Sequence, residues 1–349
     1  MTDVRRSINS RLAAWQLVRD EAGLRAPPPS KNLTLVCRSP GGRRVFVKAA
    51  EVWSDRGVAW EGRVLGELSA ACRPDREGAW LPRVIHFDET QGLLALDWLA
   101  GAETLHAYHR RTRRFGAATA RSAGQGLGAL HRLTALDPNR FAALSGWASG
   151  TDFADRILWT SPATYAGLTV ANAALFGAVQ ADPVALRALR QLRDKHSSRE
   201  GGCLVHGDLR QANLVRVAKG GRTRLVFIDW ELACWGDPAR DVGSLTADYL
   251  LAWVCPESEA VALGRAPLRH FLRALMSAYR RARGETFPFE PGFGVRVIQW
   301  AGEALLRYAD TRGREEAGPD ARADRYSAWA LELLDRPERW ASDLLGARA

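Results

Sequence analysis

Long apolar runs are absent from this sequence of 349 residues. No stretch approaches the roughly eighteen consecutive apolar residues that a membrane-spanning helix needs. The N-terminal residues, MTDVRRSINSRL, also lack the apolar centre of a secretory signal. The sequence therefore predicts a cytoplasmic protein with no membrane partner.

Cysteine and lysine are both scarce. The five cysteines are scattered and none shows CxxC spacing, so neither a disulfide framework nor a zinc site is indicated. Only four lysines occur in this chain, and almost all of its positive charge comes from arginine. Each lysine is therefore a candidate for a functional role. We expect the cysteines to be small buried hydrophobic residues: Cys37, Cys72, Cys203, Cys234 and Cys255.

Acidic residues are outnumbered by basic ones, and the formal net charge is +10. Such a balance favours acidic partners and disfavours polycationic small molecules. No zinc-finger, RNA-recognition or basic-zipper pattern occurs and the arginines are dispersed, so sequence-specific nucleic-acid binding is not expected. The 46% hydrophobic and 25% charged residues are ordinary for a globular protein large enough for two lobes.

Predicted β-strands are concentrated in the first hundred residues. Apolar spacing predicts one helix over 7–24, ended by APPPS at 26–30, and another over 58–72. Alternating apolar residues and turn-forming connections predict two hairpins, one on each side of the second helix. The predicted strands are 33–37 with 44–49 and 83–88 with 93–99.

Beyond Gly101 the pattern is mainly helical. The exception is 203–230, where the apolar runs CLV and RLVFID predict a strand–loop–strand unit. We therefore predict an α+β, bilobal fold with a small β-rich lobe and a large, mainly helical lobe. The predicted regions are an N-terminal helix with a Pro-rich connector (1–29), the β-rich lobe (30–97), a hinge (98–101) and the helical lobe (102–349). The predicted helices of the large lobe are 103–134, 152–177, 183–196, 241–254, 260–283, 293–311 and 321–347.

The segment LVHGDLRQANLV (204–215) has a fixed polar spacing between two apolar runs. Asp208 and Asn213 stand five residues apart on one loop, and Asp229 ends the later strand RLVFI. Two carboxylates and an amide are hard oxygen donors that suit Mg²⁺ shared with a substrate phosphate. The spacing matches a phosphoryl-transfer site, in which one Asp accepts the proton of the acceptor hydroxyl while the Asn and the second Asp hold the metal.

The β-rich lobe offers a cationic complement to these oxygen donors. The strand VFVK ends in Lys48, one of the few lysines, where an ammonium can meet nucleotide phosphates. Glu61, near the start of the following helix, is the preferred carboxylate to orient it, and Glu67 is the reserve candidate. The hairpin tip SPGGRR has glycines but no GxGxxG, so it is only a weak indication of a phosphate-covering loop.

Each of these features also has a simpler interpretation. A single Asp or Asn on a loop is ordinarily a turn or cap residue, and a lysine on a strand can be merely solvated. The joint order and spacing of Asp208, Asn213 and Asp229 favour a functional interpretation. The basic run HRRTRR at 109–114 is more often a solvated helix face than a substrate surface, and both interpretations stay open.

Residues from about 30 to 310 resemble the aminoglycoside phosphotransferase and choline kinase superfamily, which has a protein-kinase-like fold. HGDLRQANL (206–214) and IDWELACWGDPARDVGSL (228–245) are the specific segments. Weaker segments follow the same order along the chain: VFVK (45–48), WEGRVLGEL (60–68), LDWLAG (96–101) and LGALHRL (127–133).

The resemblance implies an ATP- and Mg²⁺-dependent transfer of phosphate to an alcohol. Asp208 would be the catalytic base, with Arg210 gripping the transferring phosphate where protein kinases often carry a lysine. Asn213 and Asp229 would bind the metal. In the β-rich lobe Lys48, held by Glu61, would anchor the nucleotide phosphates, and the backbone of Asp97, Trp98 and Leu99 would contact adenine.

A narrower resemblance concerns the acceptor. WELACWGDPARDVGSLTADYLLAW (230–253), QWAGEALLRYA (299–309) and the helical tail resemble stand-alone kinases of class V lanthipeptide and thioamitide pathways, although Arg240 stands where an aromatic residue is expected. These kinases phosphorylate Ser or Thr of a ribosomal precursor peptide before a separate lyase eliminates the phosphate. A basic groove that reads an acidic leader peptide is consistent with this resemblance.

Two other functions stay open at this point. The same chemistry could act on a small-molecule alcohol such as an antibiotic or a sugar. The chain could also be a pseudokinase-like subunit that binds a peptide without turnover, although such proteins usually lack one of the catalytic groups. The complete set of Lys48, Asp208, Asn213 and Asp229 argues against that last function.

Overall fold

The strands lie in the first hundred residues and again around the HGDLRQANL segment. The computed structural model describes residues 2–19, 32–50, 57–73, 77–145, 153–219, 222–255, 263–284, 292–315 and 320–346, so the APPPS stretch lies outside the described residues. In chain order the strands are β1 (Val18–Arg19), β2 (Leu33–Arg38), β3 (Arg44–Ala49), β4 (Val84–Asp88), β5 (Leu93–Asp97), β6 (Glu103–Thr104), β7 (Cys203–Val205), β8 (Leu214–Lys219), β9 (Arg222–Phe227) and β10 (Cys234–Gly236).

Helices make up most of the chain after residue 104. Among the described residues, no helix combines the length and the apolar composition needed to cross a membrane. In chain order the helices are α1 (Thr2–Ala14), α2 (Gly57–Ala71), α3 (Leu105–Thr112), α4 (Ala117–Ala135), α5 (Pro138–Phe141), α6 (Phe153–Leu158), α7 (Pro162–Ala166), α8 (Val170–Gln180), α9 (Pro183–Ser197), α10 (Ala239–Val254), α11 (Arg265–Arg283), α12 (Phe293–Glu315), α13 (Ala321–Asp335) and α14 (Pro337–Trp340).

The chain folds as two compact units. The first contains Met1–Glu103 and Val215–Ala233, and the second contains Thr104–Leu214 and Cys234–Ala349. The later segment joins the first unit because Val215, Val217 and Val226 pack in one hydrophobic cluster with Leu99 and Ile228. The domain boundaries predicted from the sequence stay a prediction, and the structure adds that the helical region is interrupted by this segment.

An antiparallel sheet in the order β1-β2-β3-β5-β4 forms the centre of the first unit. Side chains alternate between the two faces of a strand, so Val45 and Val47 on β3 face one side while Lys48 faces the other. Helix α1 covers the first face. The hydrophobic core there consists of Ile8, Leu12, Leu17, Cys37, Val45, Val47, Ala49, Leu93 and Ala95.

The helix predicted over 7–24 is wrong at its C-terminal end. Helix α1 ends at Ala14, and Gln16 has a φ of 56°, which turns the chain. The residues that follow form β1 instead, which pairs with Cys37 and Arg38 at the edge of the sheet. Edge pairing therefore overrides the apolar spacing that predicted a longer helix.

The other predicted elements of the first unit are confirmed. The strands predicted at 33–37, 44–49, 83–88 and 93–99 are β2 to β5, and the helix predicted at 58–72 is α2. The predicted α+β class is confirmed as well, since an antiparallel sheet occupies the first unit and helices dominate the second. All five cysteines are buried, as expected.

Three of the long helices predicted for the second unit are interrupted. Arg113 adopts a left-handed backbone with a φ of 56° and ends α3, so the predicted helix 103–134 is divided. The predicted helix 152–177 is divided into α6, α7 and α8 because Ser161 and Thr169 cap new helices with their hydroxyl oxygens. Local capping thus decides where these segments break. In the predicted helix 321–347, α13 ends at Asp335 and α14 begins at Pro337.

Helices α4 and α11 approach each other closely at two glycines. A Cβ at Gly124 would lie 2.2 Å from the carbonyl oxygen of Leu275, and one at Gly128 would lie 2.5 Å from that of Tyr279. Neither distance is sterically possible, so both positions require glycine for this packing. The spacing of four residues places both glycines on one face of α4.

We predict that Gly124→Ala lowers the free energy of unfolding by about 1–3 kcal/mol, because the added methyl group pushes α11 away from α4. The control is Gly66→Ala on the exposed side of α2, where a Cβ meets no atom within 4 Å. That change should stabilise the protein by about 0.5–1 kcal/mol through helix propensity. Urea unfolding of both variants checks this, and equal effects would contradict the close approach.

Candidate active site

Lys48 lies between two carboxylates in the first unit. Its Nζ is 2.7 Å from Glu61 Oε2 and 2.6 Å from Asp229 Oδ1. The side chain of Lys48 is 11% exposed and that of Glu61 is fully buried. The structure therefore brings together three residues that were singled out from the sequence, and Glu61 is in the position preferred over Glu67.

The local sequence explains how Glu61 reaches the sheet. Glu61 is on α2, which packs against β4 and β5. The next residue is Gly62, where a Cβ would lie 2.1 Å from the ring of Phe87 on β4. Only glycine permits this approach, and the close approach carries the Glu61 carboxylate to the side of β3 that bears Lys48.

Lys48 keeps its positive charge despite its burial. Burial alone would lower the pKa of Lys48, but the charges of Glu61 and Asp229 and their hydrogen bonds outweigh it and raise the pKa. A compact ammonium with two fixed carboxylate partners is held in one place. It can therefore offer a localised charge to an anionic ligand.

Asp229 follows β9 in an unusual backbone conformation. Its φ and ψ are 70° and 60°, in the left-handed region that few residues other than glycine adopt. Beyond it, the buried Trp230 donates from Nε1 to the carbonyl oxygen of Phe227 at 2.9 Å, and its backbone N–H donates to Glu61 Oε1 at 3.4 Å. Neighbouring bonds thus hold a strained residue in place, as is common at functional sites.

Asp208 and Asn213 are brought together in the second unit. Asn213 Nδ2 donates to the carbonyl oxygen of Asp208 at 2.8 Å and to its Oδ2 at 3.1 Å. The chain turns at Gly207, with a φ of 83°, and again through a 3-10 turn over Gln211–Asn213. The 3-10 turn accounts for the five-residue spacing, because it returns the amide to the aspartate. The amide oxygen of Asn213 then points away from this contact.

Helix α10 holds the loop that carries Asp208 at two points. Asp241 accepts hydrogen bonds from the backbone N–H groups of His206 at 2.7 Å and Gly207 at 3.0 Å. Asp248, two turns along the same helix face, accepts from the N–H of Gln211 at 2.7 Å. The two carboxylates therefore fix the backbone of this loop from one helix.

A buried histidine on α4 supports Asp241. His131 Nε2 donates to Asp241 Oδ2 at 3.0 Å, and its Nδ1 is 2.9 Å from the hydroxyl oxygen of Tyr279. Burial alone would lower the pKa of His131, but Cys203, Tyr279 and the bond to Asp241 hold it well above its usual value. Burial conversely favours a raised pKa for Asp241, yet its bonds and charge interaction with His131 lower it. The two groups therefore form a buried ion pair.

Two arginines flank the Asp208 carboxylate. Arg210 Nε is 3.2 Å from Asp208 Oδ2, so this predicted site residue lies where the sequence placed it. The guanidinium of Arg307, on α12, has its Nη1 3.8 Å from Asp208 Oδ1. Sequence reasoning gave Arg307 no role, although it lies within the segment 299–309 that carried the narrower resemblance.

The predicted adenine-contacting segment begins where β5 ends. Arg43 binds the Asp97 carboxylate through Nε at 3.0 Å and Nη2 at 2.6 Å. The N–H of Asp97 donates to the carbonyl oxygen of Arg83 at 2.9 Å, so that donor is already used within the chain. Trp98 is 36% exposed, and Leu99 packs on the β8–β9 cluster. The contact of Asp97, Trp98 and Leu99 with a nucleotide stays a prediction.

The predicted metal-binding residues, one in each unit, offer oxygen atoms. Among the described residues, no three His, Cys, Asp or Glu side chains are grouped so as to hold a metal. Asn213 and Asp229 contribute only oxygen, and the Asp229 side chain is 33% exposed. Mg²⁺ commonly takes one or two protein oxygens and completes its shell with water and substrate phosphate, so each of these donors is of the kind that suits it.

The basic run at 109–114 divides into a buried and an exposed part. His109 is buried, its Nε2 is 2.9 Å from the hydroxyl of Tyr249, and burial lowers the pKa of His109 to about 4. The four arginines of the run are exposed at the C-terminal end of α3. Helix α3 packs against the 3-10 turn that contains Asn213, so this charge lies beside the Asp208 loop within the second unit.

Comparison with known proteins gives a consistent family. The model of the phosphotransferase enzyme family matches residues 29–285. A 4-hydroxytryptamine kinase of Psilocybe cyanescens is 24% identical over 246 residues, which cover 68% of this chain. The match spans 63% of the length of that kinase, less than two thirds.

Solved structures share the fold at low sequence identity. An amicoumacin kinase in complex with AMP-PNP, Ca²⁺ and Ami aligns with a TM-score of 0.62 and 12% identity, covering 95% of this chain and 93% of that one. A choline/ethanolamine kinase family protein of Mesorhizobium loti aligns with a TM-score of 0.54 and 19% identity, covering 99% and 100%. The resemblance to the aminoglycoside phosphotransferase and choline kinase superfamily is confirmed, and the narrower resemblance to peptide kinases stays a prediction.

The His131–Asp241 pair predicts a pH-dependent stability. A raised histidine pKa contributes stability that is fully present below about pH 6.5, the unfolded value, and is lost as pH rises through the folded value. The lowered aspartate pKa contributes stability above about pH 3.8 that is lost on acidification. The pair should therefore stabilise the protein most between about pH 4 and 6.5.

We expect the free energy of unfolding of His131→Gln to differ most from the wild type near pH 6, with the difference shrinking towards pH 9. Urea unfolding across this range measures it. His270→Gln, at an exposed position of α11, controls for the loss of a histidine and should leave stability unchanged. A difference for His131→Gln that is constant from pH 5 to 9 would show that no charged histidine contributes.

Proposed function

The chain belongs to the phosphotransferase enzyme family, and from that membership we propose that it transfers the γ-phosphate of ATP to a hydroxyl group in a Mg²⁺-dependent reaction. The observation that carries this proposal is the Lys48 ammonium, 2.7 Å from Glu61 and 2.6 Å from Asp229. A buried lysine fixed by a helix carboxylate beside a strand-end aspartate is the phosphate-binding half of a kinase site.

The proposed roles divide between the two units. In the first unit Lys48 binds nucleotide phosphates and Glu61 orients it, while the backbone of Asp97, Trp98 and Leu99 receives the adenine ring. In the second unit Asp208 takes the proton of the acceptor hydroxyl while the hydroxyl oxygen attacks the γ-phosphorus. Arg210 binds the phosphoryl group that is transferred. The bond from the γ-phosphorus to the bridging oxygen breaks, and ADP leaves.

Asn213 and Asp229 are the proposed metal-binding residues. Magnesium, when bound, neutralises phosphate charge and aligns the terminal phosphate for in-line transfer. Asn213 contributes its amide oxygen, because its nitrogen already donates to Asp208. Asp229 contributes a partly exposed carboxylate that Lys48 also contacts.

For the acceptor, the proposal is Ser or Thr of a precursor peptide with an acidic leader, after which a separate lyase would eliminate the phosphate. The arginines support an anionic partner: Arg210 and Arg307 flank Asp208, and four exposed arginines end α3. A polycationic acceptor would meet like charge at this place. The proposed location of this chemistry is the cytoplasm.

A second candidate is the same transfer to a small-molecule alcohol. The curated relative is a 4-hydroxytryptamine kinase, and a solved neighbour is an amicoumacin kinase, which favours a small acceptor. A side-by-side assay of Ser- and Thr-containing acidic peptides and small alcohols separates the two candidates. ATP turnover with and without magnesium separates both from a non-catalytic peptide-binding subunit.

We predict that Asp208→Ala lowers kcat by about 10²–10⁴-fold while ATP binding stays close to normal, because the change removes a proton acceptor and not a phosphate contact. Asp229→Ala should instead weaken Mg²⁺-dependent ATP binding by about 10- to 100-fold. Steady-state rates and calorimetric titration with ATP distinguish the two effects. Asp194→Ala, on the exposed side of α9, is the control. Near-normal rates in both site variants would overturn the assignment.

The arginine run is tested by charge reversal. Arg110→Glu with Arg114→Glu changes two exposed residues at the end of α3 and should raise the KM for an acidic peptide by about 10-fold at low salt, leaving the KM for ATP unchanged. The effect should shrink as ionic strength rises. The matched control is Arg187→Glu with Arg190→Glu on α9. If the two double variants had equal KM values for the acidic peptide, the basic run would be only a solvated helix end.

A further inference from the structure

The two oxygens of the Asp208 carboxylate have different surroundings. Oδ2 accepts from Asn213 Nδ2 at 3.1 Å and is 3.2 Å from Arg210 Nε. Among the described residues no hydrogen bond reaches Oδ1, and Arg307 Nη1 lies 3.8 Å from it. A hydroxyl that gives its proton to Asp208 therefore has Oδ1 as its acceptor, and it sits beside Arg307.

Arg307 keeps most of its donors unused. Its side chain is only 20% exposed, and its one hydrogen bond within the described chain is a long one, 3.4 Å from Nη2 to Ser244 Oγ. Nε is buried with no hydrogen-bond partner, and Glu303 is 3.7 Å away from it. A largely buried guanidinium with five N–H groups is normally well satisfied. Within the part of the chain that the structure describes, this one has donors left for a further partner.

The buried Glu303 stabilises the positive charge of Arg307. Burial alone would lower the pKa of Arg307, but the nearby Glu303 in particular outweighs it and raises the pKa. Glu303 is one turn earlier on α12 and is buried. Because Glu303 lies on the same helix and already compensates part of the charge, the guanidinium is positioned before any ligand arrives.

We propose that Arg307 determines acceptor specificity by binding a carboxylate that the acceptor carries close to its reacting hydroxyl. This inference rests on the proposed function and names the chemical class of the acceptor. The planar guanidinium matches a carboxylate in a two-point geometry, which an ammonium-bearing alcohol cannot provide. With the hydroxyl on Oδ1 and the carboxylate on Arg307, the two groups are separated by only a few bonds.

Such a carboxylate has three sources. It can be the C-terminal carboxylate of a peptide that ends in Ser or Thr, the side chain of an acidic residue next to Ser or Thr, or the carboxylate of a free hydroxy amino acid. All three present the same chemistry to Arg307. Matched acceptor pairs that differ only in charge distinguish them: a peptide ending in Ser as acid or amide, an internal Ser-Asp or Ser-Asn peptide, and serine or serinamide.

The experiment measures kcat/KM for each pair with the wild type and with Arg307→Met, Arg307→Lys and Arg281→Met. For at least one pair the wild type should prefer the carboxylate member by about 10- to 100-fold, the value of one charged hydrogen-bonded contact. Arg307→Met should abolish that preference through KM for the acceptor without changing the KM for ATP. Arg307→Lys should keep part of it. Arg281, exposed on α11 and bonded only to Ser277 among the described residues, is the matched control.

The outcomes separate this inference from the proposed function. If no acceptor is phosphorylated in a reaction that Asp208→Ala abolishes, the proposed function fails. If acceptors are phosphorylated but the wild type shows no preference in any pair, or Arg307→Met keeps the preference, only the role of Arg307 fails. Circular dichroism checks that the variants fold. If Arg307→Met does not fold, the preference of the wild type within each acceptor pair still tests the inference.

Discussion

The ammonium of Lys48, held between Glu61 and Asp229, is the interaction on which the first unit depends. It joins three segments that are far apart in the chain: a sheet strand, the helix behind it and the turn after β9. Removing one partner from a buried ion pair typically costs about 3–5 kcal/mol, because the remaining charge is left without compensation. The stability of the first unit and the proposed binding of phosphate therefore both require that Lys48, Glu61 and Asp229 keep their charges.

In the second unit, hydrogen bonds to α10 hold the loop that carries Asp208 in one conformation. Asp241 and Asp248 do this from one face of α10, where their carboxylates accept from backbone N–H groups of the loop. The path of the loop is therefore fixed at its backbone. The cost of burying Asp241 is offset by His131, which reaches it from α4. The glycines of α4 let α11 approach and bring Tyr279 to the same histidine.

Sequence reasoning located the residues whose spacing is local. Strand alternation placed Lys48 on one face of its sheet, and the 3-10 turn over Gln211–Asn213 sets the spacing between Asp208 and Asn213. It could not find Arg307, because that residue lies on a helix remote in sequence and its arginine is one among many. It also extended the first helix too far, since periodicity along the chain carries no information about an available sheet edge.

The left-handed backbone of Asp229 has a consequence for how this protein can diverge. Asparagine and glycine are the residues that accept such a conformation most readily, whereas β-branched or bulky residues strain it. Neither residue carries a negative charge. Either substitution would fit the backbone of this turn but would remove its carboxylate. Among related sequences, Asn or Gly here would keep the turn and lose the carboxylate that contacts Lys48.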